Sequence, residues 1–242
     1  MNIDEIIKEI IKIPIPKRRL DKPPRFISIR SFDTNKSGNN VDSLVGGVIG
    51  GTLTEGILKV GDIVEIRPGI KELKDGKWKC FPLTTKIVSI KAETNDLRYA
   101  LPGGLIAIGT LLDPALTKQD KMIGQVIGYP GTLPEIIMKM AIRFFMLFNK
   151  DAEINTYLAN DMSKIMKKDC EILITVSGCN VQAKIVSDNA EVRGNGDLLE
   201  IEVSQPICVP DGVSIAISSK ASGVSPSKNW RLIGYGIPEF AK

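Results

Sequence analysis

The chain opens with an apolar repeat at helical spacing. Isoleucines recur three or four positions apart, at residues 3, 6, 7, 10 and 11, and charged residues lie between them. This spacing predicts an amphipathic helix of about three turns, which ends before Ile13 and Pro14. Lys17 to Pro24 is basic and proline-rich, which is typical of an extended linker. Because so short a helix is unstable alone, its apolar face suggests that a further domain is missing from the chain.

From Arg25 onward the apolar period changes to two, which indicates strands. Predicted strands in this half begin at Phe26, Val45, Leu58, Thr85, Gly104 and Met122. The strand from Leu58 is expected to end in a type II turn at Arg67-Pro68-Gly69, and Asp75-Gly76-Lys77 predicts another turn. Many short strands without intervening helices favour a closed antiparallel barrel, since closure removes exposed edges.

A second β-rich segment follows Tyr129 to Pro134, where two prolines and a glycine mark a domain boundary. Its predicted strands are 137–148, 172–176, 183–186, 198–203, 213–217 and 230–236, and residues 149–168 form a polar stretch suited to a short helix or an insertion. The predicted fold is therefore mostly β, with two successive barrel-like halves.

Composition excludes several classes of function. The four cysteines form no C-x-x-C pair and histidine is absent, so neither a zinc site nor a Cys-His or Ser-His catalytic couple can be built; buried, reduced thiols are expected. The net charge of +4 suits a phosphate-bearing partner, but 5% aromatic residues offer few platforms for stacking bases. Without a signal peptide or an apolar run of membrane-spanning length, we expect a cytoplasmic protein that does not contact membranes.

Two motifs resemble parts of a nucleotide site but fail on inspection. Gly46 to Gly51 is glycine-rich, yet it lacks the Lys-Ser/Thr of a phosphate loop and precedes strands instead of a helix. Asn149-Lys150-Asp151 is one residue too short for a guanine-reading Asn-Lys-x-Asp. Because no paired carboxylates can be assigned either, the residues predict no enzyme.

Small and turn-forming residues concentrate at predicted strand ends. Gly46 to Gly51, Arg67-Pro68-Gly69 and Pro102-Gly103-Gly104 near Arg98 are the main examples. Glycine lets a backbone approach a ligand, and a guanidinium suits a phosphate. The alternative is that these segments are barrel turns without a ligand.

Long stretches of the sequence resemble one family, the gamma subunit of translation initiation factor 2. The similar stretches are residues 29–38, 46–53, 56–62, 65–70, 95–105, 109–114, 124–126 and 230–236. Together they run through essentially the whole chain.

This resemblance implies two antiparallel β-barrel domains of the elongation factor Tu domain II/III type. Residues 1–24 would be the last helix of a G domain and its linker, 25–131 domain II and 132–242 domain III. GTP and magnesium would belong to the absent G domain, so no cofactor is expected in this chain.

The resemblance also implies partners: initiator methionyl-tRNA, the alpha and beta subunits, and the small ribosomal subunit through the ternary complex. The tRNA would contact domain II at Gly50, Gly51, Arg67, Arg98, Gly103 and Gly104. The alpha subunit would dock on the loop of residues 31–40, through Asp33, Asn35 and Lys36.

Two other classes of function stay open at this point. One is another elongation factor Tu-like translation GTPase, such as a selenocysteine-specific factor. The other is a structural barrel protein without a role in RNA binding.

Overall fold

The computed structural model describes residues 3–38, 40–147, 166–187, 195–220 and 229–239. Its architecture is mostly β, as predicted, with two closed six-stranded antiparallel barrels in succession. Three parts of the sequence predictions lie outside the described residues: the end of the strand predicted to reach Phe148, residues 149–165 of the polar stretch, and the Asn-Lys-Asp motif.

The first barrel takes its strands from residues 25–128. They are β1 (Arg25–Phe32), β2 (Val48–Glu55), β3 (Leu58–Lys59), β4 (Ile63–Lys74), β5 (Lys77–Ala92), β6 (Asn95–Leu97), β7 (Tyr99–Ala100), β8 (Ile106–Thr110) and β9 (Val126–Gly128). The strand order is β4-β9-β1-β2-β8-β5, and the barrel closes because β4 also pairs with β5. β6 pairs with the end of β5, and β3 pairs with β7 in a separate two-stranded sheet.

The second barrel takes its strands from residues 136–239. They are β10 (Ile136–Met146), β11 (Glu171–Val176), β12 (Cys179–Ile185), β13 (Asn195–Cys208), β14 (Ile215–Ser219) and β15 (Arg231–Glu239). The ring runs β10-β13-β12-β11-β14-β15 and closes between β15 and β10. The domain boundary between residues 131 and 132 stays a prediction, because it falls in the connection between β9 and β10.

Each barrel encloses its own apolar core. Phe26, Ile49 and Ile108 are buried in the first, and Phe144 and Ile201 are buried in the second. Alternate residues point inward along strands such as β11 and β12, as the period-two pattern requires, whereas all three residues of β9 are buried.

The predicted type II turn at residues 67–69 is wrong. The chain continues through it as β4, and the register of β4 against β5 shifts between Ile66 and Ile70, which marks a bulge. Pro68 has no N–H to donate to a ladder, and the buried Gln125 side chain bonds Gly69 instead, accepting from its N–H at 2.8 Å and donating to its carbonyl at 3.1 Å. The reversal comes later, at the predicted Asp75-Gly76 turn, where both residues have positive φ.

Two α-helices are present among the described residues, α1 (Ile3–Ile11) and α2 (Pro114–Thr117), together with two short 3-10 helices at Val41–Ser43 and Lys118–Asp120. The first confirms the predicted amphipathic helix, and its isoleucines are all exposed. The second was not predicted, although Asp113 before Pro114 is a recognisable start signal: the Asp113 carboxylate accepts the Ala115 N–H at 2.8 Å. No helix in the described part of the chain is long and apolar enough to cross a membrane.

The expectation of buried thiols is correct for one cysteine. None of the four cysteines, all of which the structure describes, forms a disulfide; Cys208 is buried, whereas Cys80, Cys170 and Cys179 are half-buried. Burial raises the pKa of Cys208 to about 12, so its thiol stays protonated.

Candidate functional site

The glycine-rich residues predicted to contact tRNA gather along β2. Gly50 and Gly51 pair with Ala107 and Ile106 of β8. Gly103 N–H donates to Leu53 O at 3.0 Å, and the Gly104 carbonyl accepts the Thr52 hydroxyl at 2.9 Å. The structure therefore places four of the six predicted residues on one side of the first barrel.

These four glycines differ in accessibility. Gly50 and Gly51 are buried, and a Cβ at Gly51 would lie 2.0 Å from Ile27 O, so strand pairing by itself explains that glycine. Gly103 and Gly104 are exposed, both have positive φ, and Gly104 faces open space. Close approach of a ligand is therefore possible at Gly103 and Gly104 and is hindered at Gly50 and Gly51.

The two predicted arginines lie apart from each other. Arg98 is exposed in the connection between β6 and β7, and its carbonyl accepts the Val60 N–H at 3.0 Å. Arg67 lies where the two barrels meet, and its guanidinium donates to the carbonyls of Leu133 at 3.2 Å and Pro134 at 3.1 Å. These bonds give Arg67 a structural role at the junction of the barrels.

The residues predicted to bind the alpha subunit lie in the loop between β1 and β2, which we call the docking loop (described residues 33–38 and 40–47). Asn35 closes it: the Asn35 amide donates to Val45 O at 2.8 Å and accepts Val45 N–H at 2.9 Å. Asp33 accepts both the N–H and the side-chain amide of Asn35, at 2.9 and 2.7 Å. These bonds lower the pKa of Asp33, which keeps its carboxylate ionised.

Asn35 is therefore a loop-shaping residue, whereas Lys36 is exposed and presents its charge to solvent. Beside them is a depression of about 560 Å³, lined by Phe32, Asp33, Asn35, Lys36, Leu44 and Lys118 among others. Phe32 and Leu44 are more than one-third exposed, at 37% and 45%. The depression is thus mainly polar, with two partly exposed apolar side chains and two lysines in its lining, which is a mixture found at the polar rim of protein interfaces.

One wall of this depression comes from a segment that the sequence did not single out. Gln119 and Asp120 both have positive φ, of 56° and 59°. Asp120 is held to β1 because its carboxylate accepts the Ser31 N–H at 2.9 Å and the Arg30 Nε–H at 3.0 Å. The Ser31 bond is the main reason that the pKa of Asp120 is lowered. Nothing in the residue pattern predicted this contact, because it joins residues about ninety positions apart.

The glycine-rich segment of residues 46–51 is not built like a phosphate loop. Gly46 and Gly47 pack tightly, and Cβ atoms built there would lie 2.0 Å from Thr110 O and 2.2 Å from Thr117 Oγ1. Gly50 and Gly51 belong to β2. A phosphate loop instead needs open backbone N–H groups before a helix. The residues that the structure describes contain no group of three or more Cys, Asp or Glu able to hold a metal ion.

Comparison with known proteins identifies the family. The family model described as "Initiation factor eIF2 gamma, C terminal" matches residues 139–238. The chain is 43% identical over 241 residues to translation initiation factor 2 subunit gamma of Methanocaldococcus jannaschii, and 41% identical over 237 residues to that of Methanococcus vannielii. Each match covers 98% of this chain, which spans about half, 54%, of each relative. The chain therefore belongs to the family of the gamma subunit of translation initiation factor 2.

Proposed function

We propose that this chain acts in translation initiation by docking the alpha subunit of the same factor and by contributing to the binding of initiator methionyl-tRNA. The family matches support this role and favour it over a selenocysteine-specific factor or a structural barrel. The beta subunit, the small ribosomal subunit and a cytoplasmic location belong to the same proposal.

The matched family segment is the C-terminal part, and no enzymatic activity is expected of this chain. GTP and magnesium would be bound by a G domain outside these residues.

The shape of the docking loop is the observation that carries the proposal. Asp33, Asn35 and Val45 are bonded to one another within the loop, and such internal bonds reduce the ordering entropy that binding would cost. Exposed Phe32 and Leu44 supply apolar area, and Lys36 and Lys118 place positive charge at its edge. An acidic, partly apolar face of the alpha subunit would complement this surface.

The test reverses one exposed charge in the loop. Lys36→Glu should lower the affinity for the alpha subunit about tenfold, mainly through slower association, because charges at the edge of an interface steer encounter. Biolayer interferometry with the full chain gives both rates. Lys77→Glu, at the exposed end of the β4–β5 hairpin in the same barrel, changes the same charge away from the loop and should bind like the parent.

Asn35→Ala supplies a second comparison. It removes the bonds between Asn35 and Val45, which hold the loop closed. Binding of the alpha subunit should therefore weaken through the loss of loop shape and not through the loss of a direct contact. Equal affinity for the parent, Lys36→Glu and Asn35→Ala would remove this loop from the interface.

The tRNA contribution is proposed to lie at the exposed glycine turn, residues 103 and 104, and at Arg98. Since a part of the pocket would belong to the G domain, binding should be weak and carried mainly by phosphate contacts. Arg98→Gln should weaken binding of initiator tRNA about threefold at low salt in a filter-binding assay. Discrimination between methionylated and uncharged tRNA by this chain at physiological salt would contradict the shared pocket.

A further inference from the structure

The basic segment before β1 is fixed to the first barrel. Gly56 N–H donates to Arg19 O at 2.8 Å. A Cβ at Gly56 would lie 2.5 Å from Pro24 N, and one at Gly128 would lie 2.4 Å from Pro24 O. These two glycines therefore make room for the backbone of the segment against the barrel.

A cleft of about 490 Å³ opens where this segment meets both barrels; we call it the linker cleft. Its walls are residues 16–19, the end of β2, the turn at Pro102 and Gly103, and residues 210–213 of the second barrel. The cleft is continuous with the turn proposed to contact tRNA, because Gly103 belongs to both.

Positive charge dominates the linker cleft. Lys17, Arg18, Arg19 and Arg25 line it, against Glu55 and Asp211. Arg19 Nη1 donates to the Glu55 carboxylate at 2.8 Å, so these two charges neutralise each other. Among the described residues, Lys17, Arg18 and Arg25 have no ion-pair partner within 4 Å, which leaves them available to an anion.

The position of Arg18 suits recognition of a phosphate next to a close backbone turn. A methyl group at Gly103 would lie 3.4 Å from Arg18 Nη2, so the guanidinium lies over this glycine. A guanidinium binds phosphate oxygens through two parallel N–H groups. None of the residues that line the cleft is aromatic, so it offers phosphate contacts without base stacking.

We propose that the linker cleft binds the phosphodiester backbone of the RNA, with Lys17, Arg18 and Arg25 contacting successive phosphates. This rests on the proposed tRNA function and extends its binding surface from Gly103 to the junction of the two barrels. Backbone contacts position an RNA without reading its sequence.

The experiment compares two double variants of the full chain that lose the same charge. Lys17→Gln/Arg18→Gln alters the cleft, and Lys74→Gln/Lys77→Gln alters the exposed end of the β4–β5 hairpin. Binding of initiator tRNA and of an unrelated RNA hairpin is measured by fluorescence anisotropy from low to physiological salt, and circular dichroism confirms folding.

The cleft variant should bind both RNAs about tenfold more weakly at low salt, by the same factor for each. Its slope of log affinity against log salt should be shallower by about 1.8, since each phosphate contact contributes about 0.9. The hairpin variant should retain the slope of the parent, and both variants should bind the alpha subunit like the parent.

Different failures have different meanings. If the parent binds no RNA even at low salt, the tRNA function itself is wrong, and the cleft proposal falls with it. If the parent binds and the two variants behave alike, the cleft alone is excluded and tRNA binding stands. Loss of alpha-subunit affinity in the cleft variant alone would make the cleft a protein contact and overturn the RNA proposal.

Discussion

Glu65 and Arg67 show how single residues hold the two barrels together. Arg67 Nε donates to Glu65 at 2.7 Å, and the other carboxylate oxygen of Glu65 accepts the Gly131 N–H at 3.0 Å. Burial by itself raises the pKa of Glu65, but the hydrogen bonds from Gly131 and Arg67 outweigh it, and the pKa is lowered. The pair thus joins β4 to the connection between the barrels.

This pair should make stability depend on pH. Because the folded-state pKa of Glu65 is lowered, its stabilisation is complete above the ordinary carboxyl pKa of about 4.3 and is lost as pH falls below it. Glu65→Gln should lower the free energy of unfolding by about 2 kcal/mol at pH 7, with a smaller difference from the parent near pH 3. Urea unfolding at both pH values measures this.

The control for that measurement is Glu72→Gln, which removes an exposed carboxylate from the same strand. Its unfolding free energy should follow that of the parent at both pH values. A constant difference between Glu65→Gln and the parent from pH 7 to pH 3 would exclude an ionised, bonded Glu65.

For single residues, the sequence identified which side chains can form hydrogen bonds or ion pairs, but not which groups they contact. Asn35 and Arg67 were proposed to contact partner molecules, yet their side chains bond Val45 and the connection between the barrels. A polar residue can serve either purpose, and only the folded chain determines which groups come within reach. Lys36 and Arg98 remain candidates for partner contacts because both are exposed.

The β4–β5 hairpin is the element that reaches from the first barrel to the second. Trp78 Nε1–H donates to Ser204 O at 3.0 Å, and Lys71 Nζ donates to Gln205 Oε1 at 3.0 Å. Both acceptors lie on β13. The hairpin therefore supplies direct contacts between the barrels in addition to the Glu65–Arg67 pair.

Trp78→Phe should lower the free energy of unfolding by about 1 kcal/mol, because it removes one hydrogen bond between the barrels. Guanidinium unfolding followed by circular dichroism measures the change. Trp230→Phe is the matched control: that ring lies 4.4 Å from Lys220 Nζ, within the second barrel. An equal loss in both variants would mean that the Trp78 bond adds nothing beyond the size of its ring.

Period-two patterns predicted most strands but misplaced some of their ends. The first half of β5 was not predicted, because it contains Pro82 and proline is rare within paired strands. In the structure Pro82 lies opposite the bulge at residues 67–69, between the pairs Ile66–Leu83 and Ile70–Phe81, where no ladder bond is required of it. The bulge in β4 and the proline in β5 therefore compensate each other. The sequence of either strand alone does not show that they lie opposite each other.

For the whole molecule, the alternating strands predicted a closed barrel in the first half and a barrel-like second half, and the family resemblance implied two barrel domains. The contacts between the two barrels could not be predicted from this pattern. The contacts of Arg67, Lys71 and Trp78 with the second half join residues 66 to 134 positions apart. Such contacts leave no periodic signal in the sequence.

The architecture predicts that this chain does not bind GTP. Gly46 and Gly47 are packed against Thr110 and Thr117, and Gly50 and Gly51 are paired within the barrel, so these glycines cannot cradle phosphates. Isothermal titration with GTP and magnesium should give no heat of binding. Saturable binding in the micromolar range would contradict this account of the glycine-rich segment.

The central claim is that this chain, folded as two barrels, docks the alpha subunit by itself. Its most direct test is isothermal titration of purified alpha subunit into the chain, without nucleotide or tRNA. We expect saturable binding with one alpha subunit per chain, because the docking loop and its depression lie wholly within the first barrel. The absence of binding by a chain that circular dichroism shows to be folded would contradict it.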